Sequence, residues 1–120
     1  MIDCKRVYDA VSPSDGYRVL IDRLWPRGIK KTDLQYDEWK KEVAPSNELR
    51  KWFHQNTDQF DKFVERYQQE LNDNPSAWIP LVEKAQQGNL TLLYSAKDKQ
   101  HNQALVLKSY LETALSHKKK

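Results

Sequence analysis

The sequence predicts an α/β fold: a single compact domain with a mixed sheet of about four strands flanked by about four helices. Three observations carry this. A chain of 120 residues has the length of one domain on one core. Short runs with strand character lie near both ends, at Ile2–Tyr8, Tyr17–Arg23 and Leu90–Ala96. Between and after them, apolar residues recur at helical spacing, and strands with helices between them make a layered domain.

Ile2–Tyr8 alternates loosely and reads as the first strand. Asp9–Gly16 is a loop, punctuated by Pro13 and the Asp15-Gly16 pair. It is short for a parallel crossover, which takes about a dozen residues, so the first two strands are expected to run antiparallel. Tyr17–Arg23 is the second strand, ending in the rigid turn Pro26-Arg27-Gly28. Gly28–Leu34 leads away, and Tyr36–Val43 fits strand and helix periods alike. The strand is preferred because Ala44, standing before Pro45, favours extended backbone.

From Ser46 the chain turns helical. Ser46 or Asn47 can cap, and Leu49, Trp52 and Phe53 share a face. Asn56 with Gln59 resembles a capping box. Phe60, Phe63, Val64, Tyr67 and Leu71 then form the clearest helical stripe. Asn74-Pro75 restarts the pattern at cap and first-turn positions. Trp78, Leu81, Val82 and Ala85 follow, with Gly88 suited to end the helix. Pro80 either kinks this helix or marks its true start. Leu90–Ala96 is the last strand, central and buried on both faces. The final helix runs from about Asp98 or Asn102 to Leu115. The domain is expected over 1–116, with a basic disordered tail at 117–120.

Composition narrows the function classes. The formal charge is +3, but Lys118, Lys119 and Lys120 account for the excess and the body is balanced. Nucleic acid is therefore a weakly supported partner. Four Trp, six Tyr and three Phe supply large buried areas, which argues against disorder. The single cysteine, Cys4, excludes an intrachain disulfide and any multi-cysteine metal site. His54, His101 and His117 have no metal-binding spacing, so no metal ligands are assigned. The N-terminus lacks the apolar core of a signal peptide, and no run reaches the roughly 18–20 apolar residues that span a bilayer. A cytoplasmic protein with no membrane partner is the expectation. Cofactor and oligomeric state are left open.

Leu20–Gly28, LIDRLWPRG, concentrates recognition chemistry at a strand end. Arg23 and Arg27 carry planar guanidiniums suited to carboxylates and phosphates, and Asp22 is placed to orient one of them. Trp25 offers a stacking face. The alternative is an ion pair that only buttresses the strand. A second candidate is Tyr94–Asn102, where a buried strand opens into a helix. Ligands in open α/β sheets bind beyond the carboxyl ends of strands, beside helix N-termini. Tyr94, Ser95, Lys97 and Asn102 are assigned to ligand binding there. The catalytic candidates are His101, as the acid/base group because histidine is the residue type suited to proton transfer near neutral pH, and Asp22, which would orient an arginine. If both strand ends lie on one edge of the sheet, the two stretches make a pocket for a small anionic molecule, phosphate or nucleotide-like.

The segments DGYRVLIDRLWPRG (15–28), DEWKKEVAPS (37–46), ELRKWF (48–53) and LTLLYSAKDKQHNQALVLKSYL (90–111) resemble the DUF488 family, in particular its short, YeaO-like bacterial branch. The resemblance runs through nearly the whole chain in order. It implies a compact α/β domain of a cytoplasmic bacterial protein and no particular reaction. The longer branch of the family has a Cys-His-Arg triplet where this chain has Ser95 and, later, His101-Asn102. Those cysteines are absent here, so no thiol chemistry is carried over. The resulting expectation is a protein that binds a small anion, with or without catalysis. The alternative is a non-enzymatic interaction or regulatory module associated with nucleic-acid metabolism.

Overall fold

The computed structural model describes residues 1–118. In chain order the elements are β1 (Ile2–Arg6), β2 (Tyr17–Leu20), β3 (Glu38–Trp39), α1 (Asn47–Gln55), α2 (Phe60–Asn72), α3 (Pro75–Gln87), β4 (Leu90–Tyr94) and α4 (Gln103–Lys118). Two short 3-10 turns lie at Pro13–Asp15 and Lys41–Val43. The α/β domain with four strands and four helices is therefore as the sequence predicts. The strand at 36–43 shrinks to Glu38–Trp39. The basic tail expected over 117–120 is helical as far as Lys118, and the rest of it lies outside the described residues. No helix among the described residues is long and apolar enough to cross a membrane.

The sheet order is β1-β4-β2-β3, and every pairing is parallel. The sheet is thus not mixed, and β1 and β2 do not run antiparallel. The reason is geometric. β1 and β2 are not neighbours, because each pairs with β4. A strand of 5 residues is short, about 17 Å at 3.4 Å per residue. An extended chain covers about 3.3–3.6 Å per residue, so residues 7–16 can retrace it and clear β4 without a helix. Thr91 of β4 fastens this crossing by donating its hydroxyl to the carbonyl of Asp15, at 2.7 Å.

Side-chain alternation divides the sheet into two faces. Ile2, Val19, Ile21, Leu90, Leu92 and Tyr94 face the four helices in the main core. Val7, Leu20 and Leu93 face a smaller core closed by Leu34, with Trp25, Ile29, Tyr36 and Trp39 packed against it. Helices thus cover one face and connecting segments the other. β4 is buried along its whole length, as its unbroken apolar run predicts.

The small-core side also holds an ion cluster. The Asp15 carboxylate pairs with Lys5 at 2.7 Å and with the buried Arg18 guanidinium. Gly16 follows at φ +66, where a Cβ would lie 2.2 Å from the carbonyl oxygen of Asn89, so only glycine fits.

Caps follow the sequence in part. The Ser46 hydroxyl accepts from the N–H of Leu49, while its own N–H and hydroxyl donate to Glu70, tying α1 to α2. Asn56 and Gln59 make no capping box, because Asn56 ends α1 and its amide donates to the carbonyl of Trp52. Pro75 occupies the first turn of α3, and Pro80 lies inside that helix rather than at its start. Gly88 ends α3 in extended backbone, not in the left-handed conformation that favours glycine.

Candidate functional site

Parallel pairing puts all four carboxyl ends on one edge of the sheet, which joins the two stretches that the sequence singles out. Asp22, just past β2, and Ser95, just past β4, are directly bonded. One carboxylate oxygen of Asp22 accepts from the Ser95 N–H at 3.0 Å and from its hydroxyl at 2.6 Å. The other accepts from the Gln103 amide, at the first residue of α4, at 2.5 Å. Asp22 is only 7% exposed. Burial raises its pKa above the ordinary carboxylate value, against the pull of the bonds from Ser95 and Gln103.

Above this carboxylate opens a cleft of about 790 Å3. Its cationic lining is Arg6, Arg23, Arg27, Arg50 and Lys97, with His54 beside them. Leu24, Trp25, Pro26, Phe53 and Phe63 make its apolar wall. Among the described residues, none of the five cations forms an ion pair. Two are instead aimed by backbone carbonyls. Arg6 donates to Ala96 and Ser95 oxygens at 2.9 and 3.2 Å and lies over the Tyr8 ring. Arg23 donates to Pro45 and Ala44 oxygens at 3.1 and 3.3 Å. A carbonyl fixes the plane of a guanidinium without cancelling its charge. The Arg50 Nε is buried and has no hydrogen-bond partner.

Several predicted site residues stand elsewhere or do other work. Asp22 does not orient an arginine, since its oxygens are taken by Ser95 and Gln103 while Arg23 turns to the 44–45 carbonyls. His101 is outside the cleft lining. Its ring is exposed, bonded to Asp98 at 3.0 Å and set edge-on to Phe60. Tyr94 is a core residue, 4% exposed. Asn102 is buried as the cap of α4, its side-chain oxygen accepting from the N–H of Leu105. Trp25 lines the cleft, but its indole N–H is spent on the Ile29 carbonyl at 2.6 Å. Arg27 and Lys97 line the cleft with exposed side chains.

The cleft also contains residues outside the two stretches that the sequence singles out. Arg6 ends β1, and only parallel pairing of β1 with β4 brings it to this edge. Arg50 and His54 are four apart on α1, a spacing that puts both on one helical face. That spacing was a usable signal.

The whole chain, residues 1–120, matches the family described as "Inactive DUF488-N3 subclade". The chain belongs to the DUF488 family. This DUF488 protein is 54% identical to the uncharacterized protein YeaO of Escherichia coli (strain K12) over 112 residues, which cover 93% of this chain and 97% of that one. Over 69 residues it is 54% identical to uncharacterized proteins of Mycobacterium bovis and Mycobacterium tuberculosis, covering 58% of each chain. No solved structure matches it. The cysteine of this DUF488 chain is not among the residues lining the cleft. Cys4 donates to the Ala104 carbonyl at 3.4 Å, and burial pushes its thiol up to about 12.

Proposed function

We propose that this protein binds a small phosphate-bearing anion in the cleft at the carboxyl edge of its sheet, and does so without turning it over. The observation that carries the reading is a surplus of unneutralised charge. Five cations line one cleft with a single carboxylate, and one of them, Arg50, has a buried donor with no partner. A buried unpaired N–H costs free energy, and an anion that accepts from it removes the cost. Guanidiniums held by carbonyls are pre-set for oxygens of a phosphate, so little side-chain order is lost on binding.

Binding without turnover is favoured by the chemistry of the cleft. The Ser95 hydroxyl is committed to Asp22, His101 is turned to Asp98, and the thiol of Cys4 is held neutral in the sheet. The word "Inactive" in the family description is in keeping with this.

A crystal soaked in inorganic phosphate tests the reading. Phosphate oxygens within about 2.9 Å of guanidinium nitrogens of Arg50 and of the free nitrogens of Arg6 or Arg23 are expected. Phosphate found only on surface lysines, with the cleft holding none, would contradict it.

A further inference from the structure

Resting on the anion-binding reading, we infer that the natural ligand is two-ended: a phosphate monoester whose uncharged organic part bears hydroxyl groups, a sugar phosphate free or within a nucleotide, with a hydroxyl donating to Asp22. Three features of the cleft lead there. Its volume of about 790 Å3 lies within the roughly 300–1,000 Å3 of sites for organic ligands, far more than bare phosphate fills. Its cations and its carboxylate are separate groups, with no ion pair between them. Its wall of Leu24, Trp25, Pro26 and Phe53 is apolar, which suits a carbon skeleton.

Asp22 decides the polarity of the ligand. An ionised carboxylate offers about four acceptor positions, and three are used by the Ser95 N–H, the Ser95 hydroxyl and the Gln103 amide. One position remains on a carboxylate that lines the cleft, and it accepts only a donor. A phosphate placed against it would set two anions together, so the phosphate belongs on the arginines. A cationic head group is disfavoured by the five surrounding positive charges, which leaves a neutral O–H. The raised pKa of Asp22 agrees with a carboxylate that has no cation of its own.

The test is calorimetric titration of the full chain with inorganic phosphate, methyl phosphate, ribose 5-phosphate and adenosine 5′-monophosphate at one ionic strength. Ribose 5-phosphate or the nucleotide should bind at least tenfold more tightly than methyl phosphate, which has the ester but no hydroxyl on its organic part. Equal affinity for the two hydroxyl-bearing ligands identifies the sugar phosphate as the unit recognised. A tighter nucleotide adds the apolar wall, and both results support the inference. Asp22→Asn keeps the bond from Ser95, and Gln103 can turn its carbonyl to the new amide. This variant should lose the preference for hydroxyl-bearing esters while holding inorganic phosphate as well as before or better. Wild-type protein that binds all four equally overturns the two-ended ligand and leaves anion binding standing. Protein that binds none of the four overturns the anion-binding reading itself. The wild-type comparison decides the matter even if the variant does not fold.

Discussion

Arg50→Met separates a binding residue from a structural one by the opposite signs of two effects. In the free protein the Arg50 Nε is buried without a partner, a defect that costs roughly 1–3 kcal/mol. Methionine fills similar space and carries no donor, so its loss of packing is small. A net gain of about 1 kcal/mol is expected, and for a chain of this length that raises Tm by about 3–6 °C. With phosphate present the sign reverses. Wild-type protein gains about 2.7 kcal/mol when phosphate is at 100 times its Kd. The variant lacks a charge-assisted bond worth about 1.5–3 kcal/mol, which weakens affinity by about 10–150-fold and removes most of that gain. Thermal denaturation with and without phosphate, at matched ionic strength, reads both effects. A variant that melts lower than wild type without phosphate, yet keeps the full phosphate shift, would refute the reasoning and make Arg50 a fold buttress.

Four further outcomes are expected. Asp15→Ala strips the buried Arg18 of its carboxylate and should cost about 3–5 kcal/mol in urea denaturation; a loss below 1 kcal/mol would show that water replaces the pair. Desolvation acts to raise the Asp15 pKa, but bonds from Lys5, Ser12 and Arg18 prevail and hold it below its ordinary 3.8. Its stabilising effect is therefore present above pH 3.8 and lost as pH falls through the folded value, so a fold-preserving Asp15→Asn variant should show a flatter acid limb than wild type. His101→Ala should leave phosphate affinity unchanged within about twofold, because the ring lies outside the cleft lining; a tenfold loss in calorimetry would return His101 to the site. Tyr67→Phe deprives the Val43 carbonyl of its 2.6 Å donor and should cost about 1–3 kcal/mol in the same denaturation assay.

Much of this architecture is legible in the residues because burial and period agree. The unbroken LTLLY run marks the central strand, and the stripe from Phe60 to Leu71 marks α2. Strand direction was not legible. The 7–16 connection is too short for a helical crossover but long enough for an extended one past a five-residue strand, and nothing local in either strand reveals that β4 lies between them. The same non-local fact hid Arg6, whose place in the cleft depends on pairing with a strand some ninety residues away. Asp22, Ser95, Arg23 and Lys97 are legible as neighbours because strand ends in α/β sheets gather on one edge, and all four line the cleft. Tyr94 and Asn102 read as binding residues in sequence because a strand-to-helix turn carries the same residue types whether they serve a ligand or a cap. Asn102 serves the cap, which needs its side-chain oxygen for Leu105. His101 is a candidate by residue type alone, which gives no direction, and its ring turns to Asp98 and Phe60.

The central claim is that cations from β1, α1 and the segment after β2 act on one anion. Resolving the arginine Nε–H signals by NMR during a phosphate titration tests it most directly. Arg6, Arg23 and Arg50 should shift together along one saturating curve, while Arg18, paired with Asp15, and Arg66, stacked on Trp52, stay still. Arginine signals that all drift together without saturating would contradict it.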